Sequence, residues 1–167
     1  MLETSILDQV RSIFQQLEAR YTFHITYHPK HEQAGELIEF LNDVASCSDK
    51  LSCRLTIADE PKLEFTLLKE GQETGIKFRA IPNGHEFTSL LLAILNADGK
   101  GKNLPDATIS RRIKALQGPI RLQTYVSLTC TNCPDIVQAF NIMALLNPQL
   151  THEMIDGAIF QEEVTTL

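Results

Sequence analysis

Two stretches of this 167-residue chain carry the same order of patterns, and that repetition constrains the fold more than any other feature. Residues 22 to 27 alternate Phe23, Ile25 and Tyr27 with polar neighbours, the period of a half-buried strand. After the polar stretch Pro29 to Gln33, the residues Leu37, Ile38, Leu41 and Val44 recur at helical spacing, and a β-type run follows from Leu51 to Ile57. A shift of 99 residues places Leu37, Ile38 and Leu41 on Ile136, Val137 and Phe140, Asn42 on Asn141, and Phe23 and Tyr27 on Leu122 and Val126. Shared helical periodicity alone produces several of these matches, so the sequence suggests a doubled β-α-β scaffold without requiring it. Under the same shift Cys130 and Cys133 correspond to His31 and Ala34.

The remaining patterns fill in the order of elements. Leu7, Val10, Ile13, Phe14 and Leu17 predict an amphipathic helix over residues 3 to 20. A run from Leu63 to Leu68 and another from Gly75 to Ile81, joined by the turn-rich stretch Gly71 to Gly75, predict a hairpin. Glu86 to Asn96 reads as a strongly apolar helix, Ala97 to Leu104 as a linker, and Pro105 to Leu116 as a short helix. Then come a strand over Ile120 to Leu128, a helix marked by Ile136 to Leu146, a strand from Leu150 to Ile155 and a helix beginning at Ile159. The expected division is a first α/β fold over 1-98, a connecting segment over 99-117 and a second fold over 118-167.

The chemistry concentrates at Cys130-Thr131-Asn132-Cys133-Pro134, where a strand pattern gives way to a helix pattern. Two thiols at this spacing interconvert with a disulfide. If Cys133 opens the helix, Cys130 lies just outside it, where the N-terminal N–H groups and the positive dipole end favour sulfur anion over thiol. Cys130 is therefore the expected attacking thiolate. Cys133, one turn inward and shielded by Pro134, is the expected resolving thiol. The rival use of such a pair is half a zinc site, but the only other cysteines, Cys47 and Cys53, are spaced unlike a zinc knuckle. They read as structural thiols, and no metal ligand is assigned. His28 and His31 read as part of a solvated loop.

Composition narrows the function class. A chain that is 43% hydrophobic and 22% charged can bury a real core. Its net charge of -6, with no basic run, argues against nucleic acid and against an anionic membrane surface as partners. The apolar stretch Leu90 to Leu95 is far too short to span a bilayer, and the residues from Met1 lack the pattern of a signal peptide. A cytoplasmic location is the expectation.

Several ordered segments together carry a family resemblance. Gly84-His85-Glu86-Phe87-Thr88-Ser89-Leu90, the run Thr124 to Ala139 around the cysteines, Asn147-Pro148 and Ile155-Asp156-Gly157 resemble the N-terminal domain of the flavoprotein subunit of bacterial alkyl hydroperoxide reductase. The resemblance implies an α/β protein of two tandem thioredoxin-like folds. The first would be complete and lack redox cysteines; the second would carry the CxxC and stop short of its last strands. It implies a relay that takes electrons from an FAD and NADH reductase module and passes them to a peroxiredoxin subunit that reduces hydroperoxides. Cys130 and Cys133 would be the interchange and resolving thiols. Glu86 would approach the pair and act in proton transfer, whereas by local sequence it simply suits the first turn of a helix. His85 reads as a packing or capping residue, with a supporting role beside Glu86 as the alternative.

The family's cis-proline strand would follow the helix near Ile159, where the sequence ends, and no GxGxxG occurs, so FAD and NADH are expected on a module outside this segment. The resemblance also allows a homodimer of the full-length protein. A free-standing glutaredoxin-like or protein disulfide oxidoreductase, and an inactive thioredoxin-like binding module, remain the alternatives.

Overall fold

The computed structural model describes residues 2–167. The chain forms two compact units, Met1–Glu73 and Thr74–Leu167.

The first unit begins with α1 (Thr4–Phe14), which buries Val10 and Phe14. The helix stops well short of the residue 20 that the apolar pattern suggests. Leu17 is buried all the same, through a turn in which its N–H donates to the Phe14 carbonyl at 3.2 Å. Periodicity of burial therefore outruns the helix by one turn. The strands β1 (Tyr21–Tyr27), β2 (Leu51–Ile57) and β3 (Leu63–Lys69) lie in the order β2-β1-β3. Strand β1 runs parallel to β2, with Tyr21 opposite Leu51, and antiparallel to β3, with Tyr21 opposite Lys69. The helix α2 (Ala34–Ala45) connects β1 to β2 as a crossover and buries Leu37, Leu41 and Val44. Phe23 and Phe65 meet edge-to-face at 5.8 Å in the core of this unit.

The second unit takes its sheet from β4 (Gln72–Arg79), β6 (Leu150–Asp156) and β5 (Ile120–Val126), in the order β4-β6-β5 with both pairings parallel. A single 3-10 turn, Gly84–Glu86, leads into α3 (Phe87–Ala97). Helix α3 is buried from Ser89 to Ala97, as a helix apolar all round must be. Helix α4 (Ala107–Lys114) is opened by Asp106, whose side chain accepts the Ile109 N–H at 2.9 Å. A cis peptide bond joins Gly118 to Pro119 just before β5. Helix α5 (Cys133–Leu146) packs against α3 and β6. The last helix, α6 (Gln161–Thr165), is tied to the sheet through Glu163, which pairs with Arg79 and accepts the Tyr125 hydroxyl at 2.9 Å. Residues 74–97 count with this unit because β4 pairs with β6 and α3 packs on α5.

The repeat suggested by the sequence is a repeat of backbone structure. The parallel register of β1 on β2, Tyr21↔Leu51 to Tyr27↔Ile57, recurs under the 99-residue shift in β5 on β6, Ile120↔Leu150 to Val126↔Asp156. Single hydrogen bonds recur with it. His31 N–H to His28 carbonyl at 2.9 Å matches Cys130 N–H to Ser127 carbonyl at 3.0 Å. Ala58 N–H to Tyr27 carbonyl at 2.8 Å matches Gly157 N–H to Val126 carbonyl at 2.9 Å. Even a side-chain turn is kept: the Lys50 N–H donates to Ser48 Oγ at 3.1 Å, and the Gln149 N–H to Asn147 Oδ1 at 2.9 Å. Helices α2 and α5 both begin at the shifted position, Ala34 and Cys133.

Candidate active site

Strand β5 delivers the chain to a short loop, and α5 takes it away from Cys133 onward. The loop is closed by the Cys130 N–H bond to the Ser127 carbonyl and by contact of the Ser127 and Thr129 hydroxyls at 2.9 Å. Asn132, at the N-cap, makes no side-chain cap bond. The Cys133 N–H donates instead to Cys130 Sγ at 3.2 Å, so sulfur stands where a capping oxygen usually does. That donor and the helix dipole both favour negative charge on Cys130 in the reduced state. Pro134 sits in the first turn, where a missing N–H costs nothing. Cys130 and Cys133 are joined as a disulfide with their Cα atoms 5.6 Å apart.

The 3-10 turn Gly84–Glu86 docks onto the same loop. The His85 N–H donates to the Leu128 carbonyl at 3.1 Å, and a Cβ on Gly84 would lie 3.0 Å from that oxygen. Gly84 also has a φ of 56°, the left-handed region where a side chain is strained. Glycine is therefore required twice over, by backbone angle and by close approach.

Glu86, at the end of this turn, is fully buried. Its Oε1 accepts the Ser89 hydroxyl at 2.6 Å, and Gln138 of α5 donates its amide to Ser89 Oγ at 3.2 Å. Its Oε2 has no hydrogen-bond partner among the described residues. Burial pushes the Glu86 carboxyl above the ordinary carboxylate range; the Ser89 hydrogen bond and the charge of His85 pull the other way. A buried acid with a raised pKa and one unpartnered oxygen, on elements packed against the CxxC helix, is a candidate to exchange a proton with that helix's cysteines.

Beneath α5 lies a second polar cluster. His152 of β6 is buried, with Nδ1 against Asn141 Oδ1 at 2.7 Å and Nε2 against Thr124 Oγ1 at 2.7 Å. An amide oxygen can only accept, so the ring proton is on Nδ1 and the threonine hydroxyl donates to Nε2. Burial lowers the His152 pKa to about 4, against the raising effect of Glu153. Glu153 itself is held below the usual carboxylate range. Burial opposes that shift, and hydrogen bonds from Gln123 and Arg121, together with the charges of Arg121 and Lys77, outweigh it.

The cysteines and the glutamate singled out from sequence thus lie in one unit, the cysteines bonded and Glu86 on the turn that contacts their loop. His28 and His31 accept the N–H groups of Lys30 and Gln33 through their Nδ1 atoms, as turn residues do. Cys47 is buried and donates to the Leu7 and Asp43 carbonyls; Cys53 is half-buried. Burial raises both thiols, Cys53 to about 11. Among the described residues no group of three or more His, Cys, Asp or Glu side chains is placed to hold a metal ion, and no helix is long and apolar enough to cross a membrane. Sequence reasoning assigned no role to Ser89, Gln138 or His152. The three-residue spacing of Glu86 and Ser89 at a helix start was the available signal for the first of them.

No family model matches the chain. It is 37% identical over 164 residues to the alkyl hydroperoxide reductase AhpF of Pseudomonas aeruginosa, and 40% identical over 166 residues to that of Staphylococcus epidermidis. Each alignment covers 98% of this chain but only 31% and 32% of those proteins, so the chain spans about a third of their length. Among solved structures, the NTD_N/C domain of alkyl hydroperoxide reductase AhpF from Enterococcus faecalis superposes with a TM-score of 0.89 at 31% identity, covering 99% of this chain and 85% of that one. A protein disulfide oxidoreductase from Aeropyrum pernix superposes with a TM-score of 0.85 at 16% identity, which speaks to the shared thioredoxin-like α/β fold alone.

Proposed function

The chain belongs to the family of the N-terminal domain of the alkyl hydroperoxide reductase AhpF, and from that premise we propose that it is a dithiol–disulfide electron relay. In this reading it accepts electrons from a reductase module that carries FAD and uses NADH, outside these 167 residues, and passes them to a peroxiredoxin partner. The single observation that carries the reading is the Cys130–Cys133 disulfide at the start of α5, with Cys130 Sγ receiving the Cys133 N–H. The reading keeps the expected first fold over 1-98, connecting segment over 99-117 and second fold over 118-167; the shared register of β1-β2 and β5-β6 supports two copies of one scaffold. It also keeps a cytoplasmic location.

Electrons move in pairs, through two successive thiolate attacks. A donor thiolate attacks Cys130 Sγ, the Cys130–Cys133 bond breaks, and Cys133 leaves as a thiolate that takes up one proton. The donor's second thiolate then attacks the mixed disulfide, the donor is oxidised to its own disulfide, and Cys130 is released as a thiolate. Delivery is the reverse: Cys130 attacks the partner disulfide, and Cys133 loses its proton and closes on Cys130, leaving the partner a dithiol. Glu86 is the proposed holder of the Cys133 proton, because it is buried, raised in pKa and packed against the helix that Cys133 opens.

The test is a stoichiometric transfer. The chain, reduced and freed of reductant, is mixed with an oxidised two-cysteine peroxiredoxin and, separately, with insulin. The proposal expects fast reduction of the peroxiredoxin, slow reduction of insulin, and neither with Cys130→Ser. Equal rates on both substrates would favour a general disulfide oxidoreductase, and no transfer to either would contradict the relay.

A further inference from the structure

The bonds around Glu86 have a direction. A carboxylate can only accept, so the Ser89 hydroxyl must spend its one proton on Glu86 Oε1. Ser89 Oγ is then an acceptor towards α5, and the group facing it is the Gln138 amide nitrogen, a donor. The carboxylate can only accept and the amide nitrogen can only donate, so for charged Glu86 the order Gln138 to Ser89 to Glu86 is fixed. With Oε1 engaged as an acceptor, the carboxyl proton has one place left, the unpartnered Oε2.

We infer that Ser89 and Gln138 are positioning residues which hold Glu86 so that Oε2 is the atom that takes up and releases the proton exchanged with the redox pair. This rests on the proton role proposed above for Glu86. It adds that the role is set from the redox helix itself, since Gln138 lies on α5 five positions beyond Cys133. Movement of α5 as the cysteines open or close would be felt at the carboxyl through this chain. Other charges near Glu86 are sparse. Helix α3 carries no ionisable side chain; α5 carries Cys133 and the exposed Asp135; the turn itself adds His85, and the loop adds Cys130. The Ser89 bond is thus the chief local lever on the charged form, alongside the nearby charge of His85.

The measurement is the carboxyl-carbon NMR titration of the oxidised 167-residue chain labelled in glutamate, with Glu86→Gln identifying the Glu86 signal. The Ser89 donor stabilises the carboxylate, so Ser89→Ala should move the Glu86 midpoint up by about one pH unit. Gln138→Leu should move it up by less, and Ser89→Thr, which keeps the hydroxyl, should restore it. The pH profile of disulfide exchange should shift in parallel, and neither substitution should shift it further in a Glu86→Gln background. A profile that Glu86→Gln leaves in place overturns the proton role of Glu86 and this inference with it. A profile that moves with Glu86→Gln but not with Ser89→Ala or Gln138→Leu overturns the positioning role alone. Gln138 is only half-buried, so its variant tests the idea even if Ser89→Ala does not fold.

Discussion

The segments β1-α2-β2 and β5-α5-β6 have one backbone plan and two fates. Register, helix start and individual hydrogen bonds coincide under a shift of 99 residues, yet only the second segment carries sulfur at the helix start. The first keeps the same loop bond with His31 in place of Cys130 and Ala34 in place of Cys133. A strand-loop-helix junction is therefore a scaffold that permits redox chemistry without supplying it. The outer strands differ as well. On β6, which pairs with β4 from His152 to Ile155, Met154 and Asp156 are 0% and 5% exposed. Their counterparts on β2, Leu55 and Ile57, are 49% and 63% exposed. The same pattern of alternation yields a core strand where a neighbour covers it and an edge strand at the end of the sheet order.

Truncating matched residues on β6 and β2 should have unequal effects on stability. Met154→Ala should destabilise the fold by about 3 kcal/mol in urea denaturation, the cost of a cavity in a close-packed core. Leu55→Ala should cost about 0.5 kcal/mol or less, because water already reaches that side chain. Similar values at the two positions would mean that β2 is covered in solution.

A second difference lies in His152, whose counterpart under the shift is Cys53. His152 is held neutral, with a pKa near 4 against 6.5 for the free side chain. Between those values the unfolded chain binds a proton that the folded one refuses, so stability is fully present above about pH 6.5 and falls as pH drops through the window. The whole effect approaches about 3 kcal/mol at pH 4. His152→Gln should flatten this part of the pH–stability curve, while Glu86 and Glu153 titrate alike in both proteins. An unchanged slope would show that His152 is already protonated in the fold.

Much of this was legible from residues alone. The order of strands and helices follows from periods of two and 3.6, and the CxxC names its own chemistry by its place before a helix. The resemblance named Glu86, but nothing local distinguished it from an acid suited to a helix start. What the sequence hid was long-range. The stop of α1 at Phe14 is invisible because Leu17 continues the apolar pattern from a turn. The parallel pairing of β4 with β6 joins residues far apart in the chain and decides which unit residues 74–97 count with. Ser89 and Gln138 are ordinary helix residues until α3 and α5 bring them within one hydrogen bond.

Cys130 is the proposed attacking thiol. Cys47 and Cys53 are raised by burial and so stay protonated at neutral pH, while Cys130 has a helix N–H aimed at its sulfur. In a Cys133→Ser variant the mixed disulfide cannot be resolved, so it accumulates. Reduced Cys133→Ser, mixed with an oxidised peroxiredoxin and mapped by peptide mass spectrometry, should carry the partner on Cys130. A partner found on Cys47 or Cys53, or Cys133 trapping as efficiently in a Cys130→Ser variant, would contradict the account.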